Sequence, residues 1–109
     1  MTSTADIEAQ VTFLTVEEGG RPTPLSTGYR GDVFFRDEYH VTVHEYPDVE
    51  SVRPGQTVKA FLRFLHPRSL YPHLAAHEEF EIREGHRTVA RGRVIRVLDL
   101  ATHAANEKP

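Results

Sequence analysis

The sequence predicts an all-β domain, and three observations carry that prediction. Apolar residues recur with a period of two in several segments, Gly- and Pro-containing turns separate those segments, and no stretch sustains a helical period. Ile7, Ala9, Val11 and Phe13 alternate with Glu8, Gln10 and Thr12, which predicts a half-buried strand. The phase slips at Leu14 and Val16, where a bulge or a turn towards a barrel corner is expected.

Val33-Phe34-Phe35 forms a second short apolar run. Tyr39, Val41 and Val43 alternate with His40, Thr42 and His44, a strand buried on its apolar side. Val58, Ala60, Leu62 and Phe64 alternate with Thr57, Lys59 and Arg63, while Phe61 and Leu65 break that pattern and leave the other face partly covered. Phe80 and Ile82 mark a short strand, and residues 88–99 a long one interrupted by Gly92. About six strands at this spacing suit a small sandwich or barrel.

Turn chemistry agrees. Arg53-Pro54-Gly55-Gln56 has the residues of a type II turn, and Glu84-Gly85-His86-Arg87 suits a type II′ hairpin. Residues 17–31, with two prolines and four glycines, form a long loop of the kind that often carries function. Ser69 to Glu79 is the one segment with helical character, limited to a turn or two by Pro72.

With 109 residues the chain fits one domain, taken as residues 6–100, with residues 1–5 and 101–109 read as loose tails. No cysteine is present, so disulfides and thiolate metal sites are ruled out. Thirteen basic and 16 acidic residues give a net charge of −3, a balance that disfavours strong non-specific attraction to nucleic acid. The first residues lack the basic and apolar regions of a signal peptide, and no apolar run approaches the length of a membrane span. A cytoplasmic protein with no membrane contact is the expectation.

Val16-Glu17-Glu18-Gly19-Gly20-Arg21-Pro22-Thr23-Pro24, followed by Gly28-Tyr29-Arg30, resembles the segment that opens the C-terminal (third) domain of elongation factor Tu. Phe34-Phe35-Arg36, Pro54-Gly55, Leu65-His66-Pro67 and the run Phe80 to Val89 resemble later motifs of that domain, in the same order from about residue 6 to residue 98. The resemblance implies a six-stranded antiparallel β-barrel, here as a stand-alone single domain. It also implies contacts with the tRNA T-stem, with the nucleotide-exchange partner and with a GTPase domain. The chain itself contains no Gly-x-x-x-x-Gly-Lys-Ser/Thr loop, so neither GTP binding nor GTPase activity is expected.

On that resemblance, Arg21, Glu84 and Gly85 map to the tRNA side, and Arg30 belongs to the same retained motif. An arginine there suits phosphate neutralisation, and a glycine amide suits close approach to a ribose. The alternative is that Arg21 braces its own loop and Gly85 serves the turn. The sequence departs from the family's pattern at Pro22, Asp32 and His86, and Ala90-Arg91-Gly92-Arg93 adds two cations, of which Arg91 joins the candidate binding residues.

His73 and His77 stand four apart beside Glu78 and Glu79, a low-prior zinc pair. The serines lie in turn-like segments and form no nucleophile motif, so no catalytic residue and no cofactor is expected. The sequence therefore points to a non-enzymatic, translation-related module that binds a protein partner as decoy, competitor or adaptor. Weak contact with the tRNA acceptor/T-stem backbone is the alternative. Should the chain instead pair with a separate GTPase subunit, Phe61 and Leu65 are the candidates for the contact, the alternative being that both are buried under the 17–31 loop.

Overall fold

The structure, a computed structural model, describes residues 5–108. The strands are β1 (Ile7–Phe13), β2 (Asp32–Phe35), β3 (Glu38–His40), β4 (Thr42–Glu45), β5 (Thr57–Phe64), β6 (Glu79–Glu84) and β7 (Arg87–Val97), followed by helix α1 (Leu100–Asn106). They form one antiparallel sheet in the order β3-β2-β6-β7-β1-β5-β4. The two edge strands, β3 and β4, are consecutive in the chain and separated by Val41 alone. One bent strand therefore lies at both margins of the sheet and rolls it into a nearly closed barrel. The seven strands observed are the six expected, with the strand at 39–43 broken at its corner.

Alternation builds the core where it was read correctly. Ile7, Ala9 and Val11 of β1 face Leu62, Ala60 and Val58 of β5, and all six are buried. Each fully buried Ile or Leu contributes roughly 1.5–3 kcal/mol relative to exposure. On β7, Gly92 faces inward because a Cβ there would lie 2.3 Å from the Phe80 ring across the β6–β7 ladder.

Four expectations are corrected or resolved between their alternatives. The 39–44 segment has the opposite phase, with His40, Thr42 and His44 buried and Tyr39 and Val41 exposed. The polar side chains are admitted because each is bonded. Thr42 Oγ1 donates to the His40 carbonyl at 2.7 Å and accepts from the Val33 amide at 3.3 Å, and His44 bonds at both ring nitrogens. Second, of the bulge or turn expected at Leu14 and Val16, the turn is what forms: β1 ends at Phe13 and the chain turns there, while a bulge against β7 lies at Glu8/Ala9.

Third, Ser69–Glu79 holds no α-helix; a 3-10 turn at Pro67–Ser69 precedes it, and Leu70 and Leu74 plug the core from this segment. Fourth, the helix lies where a C-terminal tail was expected. Leu100 and Ala104, four residues apart, are its buried residues. His103 Nδ1 lies 2.5 Å from Oδ1 of Asp6, whose carboxyl group is fully buried and also accepts the Phe64 amide at 2.7 Å. Glu107 accepts from the Arg68 amide at 2.9 Å. At the other terminus, Ala5 is buried, and residues 1–4 of the expected tail lie outside the described residues.

The predicted turns at Arg53–Gln56 and Glu84–Arg87 both form, the first closed by Gln56 N–H to Arg53 O at 3.1 Å. A third tight turn, between β2 and β3, holds Arg36 and Asp37 at φ 51° and 66°, the type I′ geometry usually signalled by Asn-Gly. The 17–31 loop is ordered across one side of the barrel, where Leu25 pairs with Val52 and is buried. Phe61 is half-buried beside Thr27 and Gly28 of that loop, whereas Leu65 remains 63% exposed.

Candidate interaction surface

Thr15 opens the loop with a reciprocal pair of bonds. Its amide donates to Glu18 Oε1 at 2.8 Å, and its hydroxyl accepts from the Glu18 amide at 3.2 Å. From β7, Arg87 donates through Nε to the Gly19 carbonyl at 2.7 Å and through its terminal nitrogen to Gly20 O at 2.5 Å. The tip is thus pinned from below by the hairpin it faces.

Arg21 then folds back onto Glu84, with which it forms an ion pair, and donates a second bond to Thr23 Oγ1 at 3.1 Å. Tyr29 O–H donates to the same Glu84 carboxylate at 2.5 Å, and its ring lies 5.2 Å from the Arg21 guanidinium. Burial pushes the Glu84 carboxyl up, but the Tyr29 hydroxyl and Arg21 outweigh it and hold the group below its usual range. Burial, reinforced by the Glu84 carboxylate, raises the Tyr29 phenol. Loop and hairpin share one charge-assisted knot.

Behind Tyr29 sits His44, with ring centroids 5.0 Å apart. Its Nε2–H donates to the Gly31 carbonyl at 2.8 Å, which leaves Nδ1 to accept from Tyr46 O–H at 3.0 Å. Burial lowers its pKa to about 4, so the ring is neutral near pH 7. The backbone follows the same contact, since His44 N–H donates to Tyr29 O and Gly28 N–H to His44 O.

The residues singled out from sequence therefore divide. Arg21, Glu84 and Gly85 come together. Gly85 adopts φ 61°, with open space where a Cβ would stand, so the hairpin backbone demands the glycine. Arg30 is exposed and forms no side-chain bond among the described residues.

Arg91 lies on β7 opposite Glu81, three positions along β6 from Glu84, roughly 10 Å away. It borders a groove of about 510 Å³ on the outer sheet face, together with Arg93. His73 and His77 do not converge. His73 Nδ1 faces Arg36 at 3.2 Å and His77 Nδ1 faces Arg93 at 3.5 Å. Among the described residues, no group of three ligand side chains is placed to hold a metal ion.

Sequence reading missed Arg87 as the clamp, His44 as a core relay, and Tyr29 as the partner of Glu84. All three lie within or beside motifs already noted, but their partners are distant in the chain. Ser69 Oγ lies 3.3 Å from His40 Nδ1 and donates to the His66 carbonyl at 2.9 Å.

A nearly closed antiparallel barrel with a bonded loop across its flank places the chain among small β-barrel domains. A family model described as the elongation factor Tu C-terminal domain matches residues 1–98, and the chain belongs to that family. Domains of this family are non-catalytic and take part in translation-factor interactions. Among the described residues, no helix is long and apolar enough to cross a membrane.

Proposed function

We propose that this protein is a non-enzymatic interaction module of the cytoplasmic translation machinery, without GTPase activity. It presents the 15–31 loop to protein partners of elongation factor Tu, as decoy, competitor or adaptor. The knot of Arg21, Tyr29 and Glu84 carries this reading. It holds the loop in one shape before any partner arrives, which lowers the ordering cost of association. It also occupies the cation that a phosphate contact at this site would need.

The test uses purified components. Calorimetric titration of the chain with the nucleotide-exchange factor of elongation factor Tu is expected to give a saturable, modestly salt-dependent complex. Val16→Asp, at an exposed loop position, should weaken it. Failure to bind the exchange factor, together with tight binding of aminoacyl-tRNA, would overturn the reading.

A second reading, weak contact with the tRNA acceptor/T-stem backbone, draws on Arg30, which is exposed and unpaired among the described residues. It requires binding that falls steeply with salt and is reduced by Arg30→Ala. A gel shift at low salt that shows no tRNA complex removes it.

A further inference from the structure

We infer that the groove on the outer face of β1, β7, β6 and β2 is a docking site for an acidic, extended peptide segment of a protein partner. The inference deepens the protein-interaction reading and rests on it, but it uses a different face of the barrel.

Three arginines converge there: Arg91 and Arg93 from β7, and Arg36 from the end of β2. Their availability has a structural cause. Glu81 stands directly across the ladder from Arg91, yet its Oε1 accepts from Arg83 Nε at 2.9 Å and from Thr88 Oγ1 at 2.7 Å. Arg83 is itself fixed by stacking 3.6 Å from the Phe34 ring centroid and by donating to Tyr39 O–H at 3.1 Å. Arg91 is therefore left with no hydrogen-bonded partner among the described residues. Arg93 has only the long contact to His77, and Arg36 meets a histidine and the Phe35 ring but no carboxylate.

Spacing and charge select the occupant. Arg91 and Arg93 project from one face of a strand, two residues and roughly 6.7 Å apart, the repeat at which an extended peptide presents alternate side chains. Carboxylates at that repeat can each take a forked, two-bond contact from a guanidinium. Glu79 stands directly across the β6–β7 ladder from Arg93, and Glu81 from Arg91. The chain's net charge of −3 opposes a long polyanion such as RNA more than a short segment that carries only a few carboxylates. Because the groove lies on a sheet face between paired strands rather than at a strand edge, side chains must supply the contact.

The test is fluorescence anisotropy with a labelled peptide of alternating Glu and Ser, a matched peptide of alternating Gln and Ser, and an RNA oligonucleotide of equal charge. The Glu peptide is expected to bind, with affinity falling as salt rises, and the Gln peptide to bind at least tenfold more weakly. The double variant Arg91→Ala/Arg93→Ala should lose at least tenfold in affinity with an unchanged melting temperature, since both side chains are exposed. Val16→Asp should leave this binding intact, which separates failure of the groove from failure of the loop. Equal affinity of the double variant, no preference for the Glu peptide, or tighter binding of the RNA would each overturn the proposal.

Discussion

Two sets of arginines gathered at the β6–β7 hairpin face opposite circumstances. Arg87, at the start of β7, and Arg21, which reaches over from the loop, are committed to carbonyl oxygens and to Glu84. Arg91 and Arg93, a few residues further along β7, lie on an open sheet face, where Glu81, the acid opposite Arg91, is already held by Arg83 and Thr88. All four are cations in a chain of negative net charge. The difference lies in their neighbours. A guanidinium that completes an internal network rigidifies its surroundings, whereas one whose cross-strand acid is taken retains its capacity for an outside anion. Sequence reading grouped Arg21, from the family resemblance, with Arg91, a cation the family pattern lacks, as candidate binding residues.

The largest expected effect is at the base of the loop. His44→Ala should remove buried volume and strand both the Gly31 carbonyl and the Tyr46 hydroxyl, costing about 3–5 kcal/mol in urea unfolding.

Next comes pH. The folded pKa of His44, about 4, lies below the ordinary histidine value near 6.5. Between these values the unfolded chain binds a proton that the native state does not. Stability is therefore full above roughly pH 6.5 and falls as pH drops towards 4, by a few kcal/mol in all. The lowered pKa of His40, caused chiefly by burial, acts in the same direction. His44→Gln should flatten most of the slope in that window, and an unchanged slope would assign it elsewhere.

Glu84→Ala should cost about 1–3 kcal/mol, because Arg21 and Tyr29 lose their shared acceptor in a partly exposed site. Hydrogen exchange should rise at Gly19 and Gly20 if the clamp is as integrated as its bonds indicate. Smallest of all, Arg91→Ala should move stability by no more than about 0.5 kcal/mol. A larger loss would place Arg91 in an internal network and erase the contrast between the two regions.

How far the sequence could be read depended on whether each residue's partner was local. Ile7 to Phe13 and Thr57 to Phe64 alternate plainly because each strand buries one apolar side. The 39–44 strand misled because hydrogen bonding, invisible in a hydropathy pattern, brought His40, Thr42 and His44 inside. The turn at Arg36–Asp37 carries no glycine to announce its backbone. Helix α1 is too short to display a stripe, and its anchor, Asp6, lies 97 positions away from His103.

At the site, the motifs around Arg21 and Glu84 were legible, but their mutual engagement across 63 positions was not. The available cations were legible only as composition. What distinguishes Arg91 is the geometry of Arg83 and Thr88 around Glu81.

The seam between the two chain ends has a practical consequence. Asp6, sunk beneath the surface, relies on an amide from β5 and on the imidazole of α1, which lies outside the span matched by the family. Cutting the protein back to that span would open a solvent path to a carboxyl group built to be sealed. A carrier or label should therefore be attached beyond residue 107, leaving the stitch of Glu107 to Arg68 intact.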